Sequence, residues 1–208
     1  MLCCKWVIRM TDYEKLKKFI NEHNKDIITI QEFKNNNINF YQINKLIEDQ
    51  YISRMDRGIY KKSNSEDDSL YSFQYRYKNT IFSYNTALYL LNKLENAPKN
   101  IDITVPGDYH VELDNKSIKI HYTNRNNINL GVTTIKTPQG NEVNVYNLER
   151  TICDLIKNSE KIEIDHKTRN KIIREAFDQE EINIIRLLEY AKQLKCDKTI
   201  KTIVDILI

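Results

Sequence analysis

The chain has 208 residues, of which 40% are hydrophobic and 29% charged, and its formal net charge is +3. That length suits one large or two small domains, each able to bury a core, and four glycines and three prolines argue against long flexible linkers. No apolar run approaches the roughly 20 residues needed to span a membrane, so a cytoplasmic protein without a membrane partner is expected.

The charge is unevenly placed. Residues 1–62 carry 12 Lys and Arg against 8 Asp and Glu, whereas the remainder carries 20 against 21. The modest positive excess sits in the first part, where a nucleic-acid-binding segment would need it. Cys3 and Cys4 are adjacent, while Cys153 and Cys196 stand alone. No C-x-x-C pair or metal-finger spacing results, and buried or incidental thiols in a reducing cytosol are expected. The opening MLCCKWVIRM is too short for a signal peptide with its cleavage region, so residues 1–11 read as an extension, with Met10 as an alternative start.

Asp12 to Asn24 should form a first helix, with Tyr13, Leu16, Phe19 and Ile20 on one stripe. Thr29 followed by Glu32 is a capping box, and Ile28 and Phe33 complete a hydrophobic staple. The device repeats at Asn39 and Gln42, with Ile38 opposite Ile43. Between the two lies Asn35-Asn36-Asn37, whose short amides suit a turn with left-handed backbone. Helix, short turn, helix is what DNA-binding helix-turn-helix proteins require. Ile43, Leu46 and Ile47 anchor the second helix, leaving Asn39, Tyr41, Gln42 and Lys45 outward near its start. Glutamine can read adenine, and lysine can reach guanine or phosphate.

Tyr51 to Lys62 reads as a two-stranded hairpin turning at Asp56-Arg57-Gly58, with Arg54, Arg57, Lys61 and Lys62 available to grip backbone phosphate. Residues 12–65 are thus expected to be a winged helix-turn-helix. A solvated charge pattern on any small helical domain would share these charges; the repeated caps favour the sharper reading.

A polar, acidic connector at Ser63–Asp68 leads to a second domain, residues 66–208. Helices are predicted over Leu70–Tyr77 and after a Ser83 cap. The tyrosines interleaved there, Tyr71, Tyr75, Tyr77, Tyr84 and Tyr89, read as packing residues more simply than as base-stacking ones. Short strands follow: 101–105, a hairpin of 109–113 and 117–122 around Asp114-Asn115-Lys116, then 131–136 and 142–145. Asn147 should cap LERTICDLIK. Further helices are expected over His166–Phe177, from an Asp178/Glu181 capping box to Leu194, and over Thr199–Leu207. The fold class is α+β: an N-terminal winged helix-turn-helix, then a small, mainly antiparallel sheet with packed helices.

No set of residues compels an enzymatic reading. The histidines are scattered without H-x-x-x-H or H-E-x-x-H spacing, and no phosphate-cradling glycine loop or G-x-S-x-G elbow is present. Glu149 and Asp154 would lie roughly 140° apart on a helix, poorly placed for one metal. Glu149 suits the field at a helix start, and Arg150 with Asp154 suits an ordinary helical ion pair. Structural or partner-contact roles are expected for the three, with no catalytic residue, metal or cofactor. Asp102 and Asp108 could meet Glu112 across a sheet, but no nucleophile accompanies them.

Taken in order, ITIQEFKNNNINFYQINKLIEDQYISRMDRGIYKK, DDSLYSFQYRYKNTIFSYNTALYLLNKL, DITVP and TPQGNEVNVYNLERTICDLIK resemble the antitoxins of the AbiE abortive-infection type, grouped with type IV toxin-antitoxin systems. The resemblance covers most of the chain from about Asp12. It implies a phage-defence antitoxin whose first domain represses its own operon by binding repeated promoter elements in double-stranded DNA, with self-association on that DNA. It further implies a second domain that opposes a cognate nucleotidyltransferase-like toxin, with or without direct binding. Tyr41, Gln42 and Lys45 match the recognition helix; Arg54, Arg57, Lys61 and Lys62 match the wing; Glu149, Arg150 and Asp154 match the later strand-to-helix segment. Alternatives are a winged-helix regulator with a ligand-sensing or assembly domain, a non-catalytic interaction scaffold, and a DNA-processing enzyme with an unfamiliar carboxylate site.

Overall fold

The computed structural model describes residues 10–110, 117–159 and 164–207; Cys3, Cys4 and the turn Asp114-Asn115-Lys116 lie outside the described residues. The chain divides into two compact units, one running to Arg76 and including Pro138–Asn141, the other holding Tyr77–Thr137 and the chain from Glu142. The fold is mixed α+β, with helices leading and a multi-stranded sheet flanked by helices.

The first unit contains α1 (Met10–Glu22), β1 (Ile27–Thr29), α2 (Ile30–Asn35), α3 (Phe40–Glu48), β2 (Ile52–Asp56), β3 (Ile59–Lys62) and α4 (Ser69–Arg76). Both capping boxes form. Thr29 accepts from the Glu32 N–H at 3.3 Å while Glu32 Oε2 accepts from the Thr29 N–H at 2.7 Å. Each such cap contributes about 1 kcal/mol by satisfying backbone donors that a helix start leaves open. Asn37 takes the left-handed conformation (φ 56°) that turns the chain between α2 and α3. The apolar stripes of α1, α2 and α3 converge on one core of Leu16, Ile20, Ile28, Phe33, Ile38, Ile43, Leu46, Ile52 and Tyr60. Phe33 is wholly buried and meets Tyr60 edge-on, so Phe33→Ala would cost about 3–5 kcal/mol.

The expected two-stranded ribbon has a third strand: β1 pairs with β3, giving the antiparallel order β1-β3-β2. Three residues are too few to display a strand period, which is why Ile27–Thr29 reads only as a lead-in to the cap. A register shift between Arg54 and Asp56 bulges β2 just before the turn. Gly58 turns there with φ +77°, and its carbonyl accepts from the Ile30 N–H at 2.8 Å. Asp68, which is buried, accepts from the Tyr71 N–H at the start of α4 and from Asn141 Nδ2, both at 2.9 Å.

The second unit is built on a five-stranded sheet of β4 (Ile81–Phe82), β5 (Ile101–Pro106), β6 (Ile118–Thr123), β7 (Val132–Lys136) and β8 (Glu142–Tyr146), in the order β6-β5-β4-β8-β7. It is mixed rather than mainly antiparallel. β5 with β6 and β4 with β8 are parallel pairs; β4 with β5 and β7 with β8 are antiparallel. Residue alternation predicts that strands exist, but their directions come from long-range pairing. β6 takes its register from β5, with Ile103 opposite Ile120, instead of folding back on Tyr109 and His110, which are not in a strand. The inner strand β5 is continuously buried from Asp102 to Val105, as a strand covered on both sides must be.

The helices of this unit are α5 (Tyr84–Leu90), α6 (Leu148–Lys157), α7 (His166–Asp178), α8 (Ile184–Leu194) and α9 (Asp197–Leu207). Ser83 stands at the start of α5 but makes no side-chain cap; its hydroxyl accepts instead from Thr104 Oγ1 at 2.9 Å. Asp178 ends α7 and does not open α8. The cap of α8 is Asn183, whose side chain accepts from the Arg186 N–H at 3.0 Å, and Glu180 turns between the helices with φ 52°. The box pattern at Asp178/Glu181 lost to a nearer capping side chain. Ile152, Cys153, Ile173, Leu187, Ala191 and Ile200 join α6 to α7, α8 and α9 in one core. Residues 148–155 of α6 are all buried, so its charged members need internal partners.

Candidate nucleic-acid interface

The first turn of α3 sets out the chemistry of the outer face. Asn39 Oδ1 accepts from the Gln42 N–H at 3.0 Å, and the Asn39 N–H donates to Gln42 Oε1 at 2.8 Å. Each amide oxygen thus holds one backbone N–H at the helix start, which fixes the orientation of both amides and leaves their NH2 groups as donors. Tyr41, Asn44 and Glu48 are exposed along the outer side. Lys45 is half-buried and 3.5 Å from Asp49, whose other oxygen accepts from the Tyr13 hydroxyl. Phe40 opens α3 at the margin of its apolar stripe. Its spacing to Ile43 and Ile47 aligns it with the inner stripe, yet it is 64% exposed, beside Tyr41 at 54%.

The four cations expected on the hairpin separate into two pairs. Lys61 Nζ donates to the Ser65 carbonyl at 2.8 Å and lies 2.7 Å from Asp67. Lys62 Nζ donates to the His23 carbonyl at 2.8 Å and approaches Asp26 at 3.9 Å. Both are mostly covered and tie strand β3 to neighbouring chain. Arg54 and Arg57 are exposed near the turn. Arg54 Nε donates to the Asp56 carbonyl at 3.3 Å across the bulge, while Asp56 Oδ1 accepts from the Arg57 N–H at 2.6 Å. Arg57 thus stands exposed at the hairpin tip, while the other oxygen of Asp56 lies 3.9 Å from Arg76 Nη1. α3 packs directly against β2, so this tip and the exposed aromatics belong to one small body.

Glu149, Arg150 and Asp154 of α6 are buried and bonded inside the second unit. Arg150 is 1% exposed; its Nε donates to Asp154 Oδ2 at 2.9 Å, and its Nη1 donates to the carbonyls of Asn127 and Leu130 at 2.7 and 2.9 Å. The guanidinium also lies 4.2 Å from the Tyr146 ring centroid. Burial pushes the Asp154 carboxyl up from its ordinary range, and the Arg150 charge opposes that shift. The helical pair that the spacing suggests forms, and it is buried and tied to two backbone carbonyls besides. Glu149 accepts from the Asn183 N–H at 3.1 Å and lies 3.5 Å from Arg186, joining the start of α6 to the cap of α8.

Sequence spacing gives no warning of a second polar cluster. His121 Nε2 is 2.7 Å from Asp102 Oδ1, and Asp102 is 2% exposed with its other oxygen unpartnered among the described residues. The Tyr84 ring lies 4.0 Å from the imidazole, with Tyr84 at φ 47°, a strained backbone for a bulky residue. Tyr84 OH accepts from Asn158 Nδ2 at 2.8 Å, and burial pushes its phenol well up. The signal that could have found the pair is register: Asp102 is the charged residue of an otherwise uncharged strand, and His121 lies two positions beyond its partner Lys119, on the same face of β6. Such a carboxylate can orient the imidazole and fix its tautomer. Cys153 and Cys196 are buried free thiols, and the Cys153 thiol is pushed far up by its hydrogen bond to Cys196 and by burial.

Among the described residues no helix is long and apolar enough to cross a membrane, and no group of three or more His, Cys, Asp or Glu is placed to hold a metal. No family model matches the chain, and no curated protein matches it. Among solved structures it is similar to the crystal structure of the RV2827C protein from Mycobacterium tuberculosis. That match has a TM-score of 0.54 at 11% identity and covers 88% of this chain and 72% of the other. At that identity the likeness concerns the fold alone.

Proposed function

We propose that the protein is an antitoxin of the AbiE abortive-infection type that represses its own operon through an N-terminal winged helix-turn-helix and opposes a nucleotidyltransferase-like toxin. The observation that carries the reading is the pair of capped helices α2 and α3 joined by a left-handed Asn37 turn and followed by a hairpin with Arg54 and Arg57 exposed at its tip. In this reading α3 enters the major groove of promoter DNA, and the two arginines grip flanking phosphate as the wing. Lys45 adds charge on the same helix, while Lys61 and Lys62 hold the wing strand in place. The Glu149, Arg150 and Asp154 bonds stiffen the second unit without performing chemistry. No cofactor enters this mechanism.

Binding of the full chain to the DNA upstream of its own gene, against shuffled DNA of equal length, tests the regulatory half. Co-expression with a neighbouring nucleotidyltransferase-like gene tests the antitoxin half: relief of growth inhibition is expected, and unrelieved toxicity would remove it. A second reading, a winged-helix regulator that senses a small molecule, draws support from an open cavity of about 410 Å³ in the second unit. Lys78, Tyr109, Arg125, Asn129, Val132 and Asn144 are among its lining. A metabolite that releases the protein from its upstream DNA would favour that reading.

A further inference from the structure

The capping box that builds α3 also limits what α3 can read. Bidentate recognition of adenine needs the oxygen and the nitrogen of one amide together. Asn39 and Gln42 both give their oxygens to backbone N–H groups at the helix start. Reaching an adenine edge with either therefore has to be done from the amide orientation that the cap holds, with one lone pair of the oxygen already engaged. Lys45, next along the outer side, is turned to Asp49. What remains foremost on the first turn is a pair of rings, Phe40 and Tyr41, with more than half of each side chain in solvent.

Two adjacent exposed rings are unusual on a unit whose other large apolar side chains, among the described residues, are buried or half-buried, and their surroundings indicate what covers them. Asn39 and Asn44 flank them on the helix, and Arg54 and Arg57 are exposed on the hairpin whose strand β2 packs against α3. An apolar spot within a polar, cationic rim matches a polyanion that displays small apolar groups in a groove. Duplex DNA does so through the C5-methyl of thymine, which projects into the major groove and accepts contact from apolar and aromatic side chains.

We propose that Phe40 and Tyr41 are specificity-determining residues that recognise thymine through its methyl group. α3 would thus discriminate T from C at the contacted positions by apolar contact rather than by amide hydrogen bonds. The proposal rests on the DNA-binding reading above and assigns it a chemistry. Burying one methyl against an aromatic face corresponds to about fourfold in affinity per contacted thymine.

The test measures binding of the full chain by fluorescence anisotropy at fixed salt. The duplexes are the upstream DNA, the same DNA with every thymine replaced by uracil, and a shuffled duplex. Wild type, Phe40→Ala, Tyr41→Ala and the double variant are compared, with thermal unfolding confirming that each remains folded. The expected result is a several-fold loss on uracil DNA for wild type that shrinks in each single variant and vanishes in the double variant. Equal wild-type affinity for the thymine and uracil duplexes, with upstream DNA still preferred over shuffled, overturns the methyl contact and leaves DNA binding standing. A uracil penalty undiminished in the double variant assigns the methyl effect elsewhere and also overturns it. No preference for upstream DNA over shuffled overturns both readings.

Discussion

Asn39 and Gln42 complete each other's hydrogen bonding at the start of α3: each side-chain oxygen accepts the other's backbone N–H, at 3.0 and 2.8 Å. The reciprocity orders the turn after α2 and fixes the helix start that carries the exposed rings of Phe40 and Tyr41. Asn39→Ala removes one arm and should destabilise the first unit by about 1 kcal/mol, whereas Asn39→Asp or Asn39→Ser should retain most of the cap. Urea denaturation followed by circular dichroism reads the difference. A loss as large for Ser as for Ala would show that the cap is not what holds the helix start.

The hairpin cations should separate by salt dependence. If Arg57 meets a phosphate, Arg57→Ala lowers the slope of log K against log salt by about 0.9, with little change in sequence preference. Lys61→Ala should leave that slope nearly unchanged, because its ammonium is bound to Ser65 and Asp67. Titrations from low to moderate salt on one duplex measure both.

In the second unit, Arg150→Met would strand the Asp154 carboxylate and two backbone carbonyls in the interior. Removing one partner of a buried pair costs about 3–5 kcal/mol, and replacing both by apolar residues recovers much of it. The double variant Arg150→Met with Asp154→Leu should therefore unfold at higher denaturant than Arg150→Met alone. Gly131 faces the same arginine: with φ +78°, an added Cβ would lie 2.5 Å from Arg150 Cβ. Gly131→Ala should accordingly destabilise this unit too.

Acid should weaken the start of α7. Asp165 is exposed, and its carboxyl is held below the usual value of 3.8 by the Thr168 hydroxyl and by the N–H groups of Thr168 and Lys167. A lowered carboxylate contributes stability that is fully present above the unfolded value and disappears as pH falls through the folded one. Asp165→Asn keeps an acceptor but does not titrate. Its stability deficit relative to wild type should therefore narrow below about pH 4, as a pH series of thermal melts would show.

The features legible in the sequence were local ones. A box such as Thr29/Glu32 or Asn39/Gln42 is decided within four residues, and a turn such as Asp56-Arg57-Gly58 within three, so pattern and structure agree there. β1 and β4 escaped because strands of three and two residues carry no measurable period. The parallel pairing of β5 with β6 is a relation between distant segments, and no alternation encodes strand direction. The exposure of Phe40 is not legible either, because periodicity gives a heading around the helix but not whether anything lies in that direction. His121 and Asp102 are 19 positions apart and meet only once two strands are in register. Spacing rules for catalytic or metal-binding pairs within one helix cannot reveal such a meeting.

The hydrogen bond from the Ile30 N–H to the Gly58 carbonyl has a thermodynamic corollary. An arm that swings freely must be immobilised when it lands on a target, and the lost motion subtracts from affinity. Here the tip of the ribbon is already moored to the first residue of the preceding short helix, and a Cβ at Gly58 would lie 3.1 Å from Ile30 Cγ2. The moored ribbon and the helix pair should consequently engage any target as one preformed surface, and a bulkier residue at position 58 should cut association by loosening that mooring while the tip's arginines stay in place.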